Sequence, residues 1–152
     1  MANEQLEKIY NFFPFSDSIA TAGQPTPQQF SAIADAGYQV VVNLAMPSSK
    51  EALANEAEIV QALQLDYIAI PVVWEQPTLE NFQEFVRVME ANSDKLVFVH
   101  CIANMRVSAF MYLYRLISQD ISESEAWEDV KKIWTPNPIW QQFMEQIKQH
   151  YQ

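Results

Sequence analysis

The residues best suited to chemistry lie in one stretch, Leu96-Val-Phe-Val-His-Cys-Ile-Ala-Asn-Met-Arg-Val-Ser-Ala-Phe110. Cys101 is the chain's one cysteine; four residues separate it from Arg106, and Ser108 stands two positions further on. A thiol close to a guanidinium suggests nucleophilic attack on an anion. An arginine offers two parallel donors to a phosphate, and a helix N-terminus preceded by a curved run of backbone N–H groups adds an anion pocket. The same positive end favours the thiolate, which is the nucleophilic form. A thiolate facing a phosphate monoester implies displacement through a phosphocysteine. Ser108 would then steady the thiolate, or the departing thiol when the intermediate is hydrolysed. Ile102, Ala103, Asn104, Met105, Arg106 and Val107 would form the phosphate cradle. A lone cysteine at the end of an apolar strand is more often an inert core residue, but strand, His-Cys, short loop, Arg, hydroxyl and helix in this order suit one chemistry. His100 points to the face opposite Cys101 and is badly placed as its general base; its expected work is to bond backbone behind the loop and hold the cysteine.

The elements that must position these residues follow from pattern. A short N-terminal helix is predicted over Asn3 to Tyr10, then a strand Ile19–Ala22 ending at Gly23. Thr26-Pro27 marks a helix start, with a cap residue before a proline at the first helical position. Gly37 ends that helix. Tyr38 to Leu44 is β-branched on both faces, as in a strand buried between two helical layers. Apolar spacing then predicts a helix over Lys50–Leu63, a strand Tyr67–Ile70, a helix Thr78–Met89 and a strand Lys95–His100. Helices over Arg106–Ser118, Ser122–Trp134 and Pro138–Tyr151 finish the chain, Ser122 and Glu125 having capping-box spacing. The expected fold is α/β: one domain over residues 1–152, a three-layer sandwich with four or five mostly parallel strands between helices. Cys101 then sits at the carboxyl edge of the sheet, where such folds bind ligands.

Composition narrows the alternatives. The chain has 152 residues, 49% of them apolar, enough to bury a core as one domain. A formal charge of −10 argues against nucleic acid and anionic membranes as partners. Two histidines and one cysteine provide no structural zinc cluster or internal disulfide, and two glycines no dinucleotide-binding loop. The N-terminus lacks the basic and apolar stretches of a signal peptide, so a cytoplasmic location is expected.

The Cys101 segment resembles the signature of cysteine-dependent protein tyrosine and dual-specificity phosphatases: His-Cys, five residues, Arg, then Ser or Thr. Ala22-Gly-Gln-Pro25, Gly37-Tyr-Gln-Val-Val-Val-Asn-Leu44, Asn55-Glu56, Leu65-Asp-Tyr67 and Ile70-Pro-Val72 also look like the small bacterial dual-specificity-like phosphatases, a group catalogued as a domain of unknown function. The likeness covers about residues 19–120. It implies a compact parallel sheet with helices on both faces, a phosphoester substrate, and neither metal nor cofactor. The residues leave open whether the phosphorylated substrate is a protein or a small molecule.

Two departures stand out. Four residues rather than five separate Cys101 from Arg106, and the loop has no glycine. Ser108 keeps the family distance from Cys101, so either the arginine has moved back by one or the loop is truly shorter and its helix starts earlier. Asn104 is suited to the left-handed conformation that a loop glycine supplies. The second departure concerns the general acid. The family carries an aspartate after the strand ending at Ile70-Pro71, whereas Val72-Val-Trp-Glu-Gln-Pro77 has none, leaving Glu75 as the nearest substitute. Asp66 lies at the wrong end of its strand. Trp74 is expected either to wall the pocket or simply to pack, and Trp134-Thr-Pro-Asn-Pro-Ile-Trp140 to form a helix–helix corner on the core. The leading expectation is a phosphoester hydrolase. Its rivals are a catalytically weak phosphate-binding pseudophosphatase and, behind it, a rhodanese-like sulfurtransferase.

Overall fold

The two runs that are apolar on both faces form central strands, β3 (Val40–Asn43) and β5 (Val97–His100), and every residue of both is buried. The computed structural model describes residues 2–152. Its sheet has five strands in the order β1-β2-β5-β3-β4, with β1 at Phe13–Pro14, β2 at Ile19–Ala22 and β4 at Asp66–Ala69. The pairs β2–β5, β5–β3 and β3–β4 are parallel, and only β1 runs antiparallel, against β2. Ala22 and Asn43 both stand opposite His100, so β2, β3 and β5 end together at the edge that carries Cys101.

Strand alternation divides the apolar residues into two layers. Val41 and Phe98 face Leu6, Ile9, Phe30, Ile33 and Val60 from α1 (Ala2–Leu6), α2 (Pro27–Asp35), α3 (Glu56–Ala62) and the turn after α1. Val40, Val42, Val97 and Val99 face the larger core built by α4 (Leu79–Ala91), α5 (Met105–Ser118), α6 (Glu123–Ile133) and α7 (Pro138–His150). Aromatic rings fill that layer: Phe110 packs against Phe82, Phe85, Trp140 and Phe143 with centroids 5.5–6.1 Å apart. The fold is the expected three-layer α/β sandwich.

The helix starts have local causes. Thr26 with Gln29 and Thr78 with Asn81 form complete capping boxes, Ser122 accepts from the Glu125 amide, and Asn137 caps α7 ahead of Pro138. Most boundaries shift by one or two residues, and the larger differences from the pattern reading have local causes. The N-terminal helix stops at Leu6, because i to i−3 bonds from the Lys8 and Ile9 amides turn the chain and Asn11 follows at φ 51°. Residues 50–55 form turns rather than the first part of α3, so that Glu56, in the first turn of the helix, is buried under the sheet edge. The last strand begins at Val97 rather than Lys95, and the aromatic stretch before β2 contains the unanticipated edge strand β1.

Candidate active site

The loop after β5 is short because α5 begins at Met105. Only Ile102, Ala103 and Asn104 connect Cys101 to the helix. Asn104 makes the turn at φ 64°, ψ 6°, the left-handed conformation that side chains usually avoid. Its side chain explains why it is tolerated: Nδ2 donates to the Asn11 carbonyl at 2.9 Å and to Thr21 Oγ1 at 3.0 Å. Asn11 reciprocates, its Nδ2 donating to the Ala103 carbonyl at 3.0 Å. The Ile102 carbonyl accepts from the Gln24 amide at 2.9 Å. Gly23 permits that approach, since a Cβ there would stand 2.5 Å from the Ile102 oxygen and 2.8 Å from the Tyr10 ring. The N-terminal segment and β2 thus clasp the loop from behind.

Below the clasp lies a polar cluster. His100 is fully buried; its Nδ1 is 3.0 Å from the Cys101 carbonyl oxygen and its Nε2 2.7 Å from Glu56 Oε2. Glu56 Oε1 accepts from Gln24 Nε2 at 2.7 Å, and Oε2 also from Asn43 Nδ2 at 3.1 Å. Asn43 Nδ2 also donates to the Tyr67 hydroxyl at 3.0 Å, while its Oδ1 accepts from the Ala45 amide. Burial alone would push the Glu56 carboxyl up; hydrogen bonds from His100, Gln24 and Tyr67, with the charge of His100, outweigh it and hold the group below its ordinary range. Burial, together with the nearby Glu56 charge, pushes the Tyr67 phenol up to about 12 despite its bond from Asn43. The backbone contact foreseen for His100 is present. Glu56 and Asn43 carry the rest of the cluster; both lie in segments that carry the family resemblance, but neither is read there as a site residue. A glutamate in a helix's first turn ordinarily faces water, and its partner is 44 residues away.

On the front of the loop Cys101 is 1% exposed, and Arg106 stands on the first turn of α5, 7% exposed. Arg106 Nη1 donates to the Val72 carbonyl at 2.9 Å, and the guanidinium lies over the Trp74 ring, 5.7 Å from its centroid. Its Nε is buried without a hydrogen-bond partner, a donor suited to an incoming anion. Ser108 does not present its proton to the thiol. Its Oγ donates to the Met105 carbonyl at 2.8 Å and accepts from Trp134 Nε1 at 2.9 Å. Trp74, Trp134 and Trp140 pack together with centroids 5.4–6.2 Å apart, and Trp140 Nε1 donates to the Trp74 carbonyl at 2.9 Å. The C-terminal corner therefore reaches the site through both Ser108 and the Trp74 loop. Glu75 is exposed in the turn closed by the Gln76 amide on the Val73 carbonyl. Asp66, at the other end of β4, is exposed beside Lys95 at 3.9 Å, away from the loop.

A mostly apolar cleft of about 550 Å³ borders the loop at Ile102 and Ala103, with Tyr10, Pro25, Pro27 and Leu53 in its walls. A larger one, about 690 Å³, lies between α5, α6 and α7 around Tyr112, Trp127 and Lys148, remote from Cys101. Among the described residues no cluster of His, Cys, Asp and Glu is arranged to hold a metal ion, and no helix is long and apolar enough to cross a membrane.

A parallel α/β sandwich ending in a His-Cys loop with an arginine on the following helix defines the dual-specificity and tyrosine phosphatase class. The chain belongs to the family described as "DSP-PTPase phosphatase fused to NAD+ Kinase", whose model matches residues 16–148. It is similar to the DUF442 protein of Shewanella putrefaciens CN-32, at 34% identity over 97% of each chain and a TM-score of 0.88. Two more distant structures share the fold. The core catalytic domain of the PP-IP phosphatase SIW14 from S. cerevisiae is 14% identical over 93% of this chain and 91% of its own, with a TM-score of 0.75. TpbA of P. aeruginosa, solved in complex with pTyr, is 16% identical over 80% of this chain and 72% of its own, with a TM-score of 0.66. No curated protein matches the chain.

Proposed function

We propose that the chain acts as one cysteine-dependent phosphatase domain over residues 1–152, in the cytoplasm, on a phosphomonoester of a protein or small molecule. The observation that carries this reading is that buried Cys101 and buried Arg106, whose Nε has no partner, stand on either side of one short loop turned by left-handed Asn104. Arg106 and the amides of the loop and first helical turn, residues 102–107, bind the phosphoryl oxygens. Cys101 Sγ forms a bond to phosphorus as the ester P–O bond breaks, and Glu75 gives a proton to the departing oxygen. Water then attacks phosphorus and gives its proton to Glu75, the S–P bond breaks and the thiolate returns. Reorientation of the Ser108 hydroxyl from Met105 would let it donate to the leaving sulfur. His100 holds the cysteine from behind. No metal or cofactor is required by these steps.

A second reading, a phosphate-binding protein with weak catalysis, is favoured by the Arg106 bond to Val72 and the exposure of Glu75. Rapid acid quench after adding radiolabelled substrate separates the two: the enzyme yields a phosphocysteine at Cys101, whereas the absence of any adduct with phosphate still bound establishes the binder. Transfer of sulfur from thiosulfate to cyanide would instead support a sulfurtransferase.

A further inference from the structure

The geometry points to Glu56 as a positioning residue that keeps His100 doubly protonated, so that a buried ion pair turns its positive end toward the Cys101 loop. The inference rests on the phosphocysteine reading for its purpose, but not for its test. A carbonyl oxygen carries no proton, so the 3.0 Å contact between His100 Nδ1 and the Cys101 carbonyl requires an N–H on Nδ1. The other nitrogen, Nε2, meets Glu56 Oε2 at 2.7 Å. Either the ring donates here as well and is an imidazolium, or Glu56 is a neutral acid donating to a neutral ring. Donors already converge on both Glu56 oxygens, Gln24 Nε2 on Oε1 and Asn43 Nδ2 on Oε2. That is the environment of a carboxylate, which accepts on both oxygens and donates on neither. The depressed Glu56 carboxyl agrees with this choice.

The pair is neutral as a whole, yet it is ordered in space. The imidazolium bonds the peptide that carries the thiol, while the carboxylate lies on its far side. With His100 0% and Glu56 3% exposed, water screens this dipole little. The uncharged groups around it fix it in place. From α2 the Phe30 ring packs edge-on against His100 with centroids 5.8 Å apart, from β3 comes Asn43, and Gln24 closes the side after β2. The other titratable groups facing the pair are Tyr67 from β4, whose phenol stays neutral well above pH 9, and Cys101 itself. The dipole therefore favours negative charge on Cys101 Sγ, and removing the Glu56 charge removes that help without touching the loop.

Glu56→Gln is the discriminating change. Its amide can donate to Nε2 of a neutral His100, whose Nδ1–H remains on the Cys101 carbonyl, so the ring keeps its place while the ion pair and the Asn43 Nδ2 bond to that position are lost. Alkylation of Cys101 by neutral iodoacetamide is expected to slow about tenfold at pH 6 and to approach the wild-type rate at pH 9, the behaviour of a less readily ionised thiol. An unchanged rate at pH 6, with a far-UV spectrum and melting transition close to wild type, overturns the proposal. Should the variant not fold, nitrogen NMR of the wild type decides: both His100 ring nitrogens are expected to carry protons at pH 7.5, with His150→Gln assigning the signals, and a single neutral tautomer overturns the inference. If wild type forms no phosphocysteine, that failure belongs to the enzymatic reading, because alkylation and ring protonation are read without substrate.

Discussion

The back and the front of the Cys101 loop are built differently. Behind it, Asn11, Thr21, Gln24, Asn43, Glu56 and His100 are joined to one another and to the loop by bonds of 2.7–3.1 Å. In front, Arg106 has one nitrogen on Val72 and an unpartnered Nε, and Glu75 points to solvent. A site that must bind an anion needs donors with no partner in the protein, and such donors stay in place only if the opposite side of the loop is tied down. Order is concentrated on the side of the loop away from Arg106.

Changes on the front should therefore damage chemistry and spare stability, whereas changes behind, the Glu56–His100 pair apart, should cost stability first. The largest effect is expected from Cys101→Ser: essentially no phosphatase turnover, with phosphate affinity by calorimetry nearly kept, since a hydroxyl is a poor nucleophile and the amide cradle remains. Arg106→Lys follows, with kcat/KM lower by about a hundredfold or more, because an ammonium is a point charge where a planar fork is needed. Activity within about twofold of wild type would show that Arg106 does not grip the substrate in bidentate fashion. Glu75→Gln should slow an alkyl phosphate by roughly a hundredfold and a nitrophenyl phosphate far less, the contrast expected from loss of a proton donor. Equal small effects on both substrates would make Glu75 a bystander. Behind the loop, Asn104→Ala should lower unfolding free energy in urea by about 2 kcal/mol, from two lost hydrogen bonds and a strained left-handed residue. Asn104→Gly should recover about 1 kcal/mol of that by relieving the backbone. If the two variants are equally unstable, the conformation at Asn104 is not what the residue supplies.

The same division decides what could be read from sequence. Local signals carried through: Thr26-Pro27 starts α2, Ile19–Ala22 is β2 as expected, and Asn104 takes the conformation its short polar side chain allows. The placement of Cys101 and Arg106 at the sheet edge followed from one buried strand and the helix after it. What escaped depends on distant partners. Two residues of β1 are too few to show a period, and that strand exists because Phe13 pairs with Thr21 across a turn. The buried role of Glu56 depends on His100, and turns occupy 50–55 although Leu53, Ala57 and Val60 keep a helical spacing throughout. The link from the C-terminal corner to the site needs Trp134 to reach Ser108 and Trp140 to reach Trp74, contacts that no local pattern encodes.

The indole cluster also gives the protein an optical property. Of its four tryptophans, Trp74, Trp134 and Trp140 stand within 6.2 Å of one another, with Trp74 beside the Arg106 guanidinium. Their emission is expected to respond to the charge and position of that side chain. Binding of an anion at Arg106 is therefore expected to register in intrinsic fluorescence, without a label or a chromogenic substrate, while Trp127 packs on Tyr112 at the far cleft and is expected to change little.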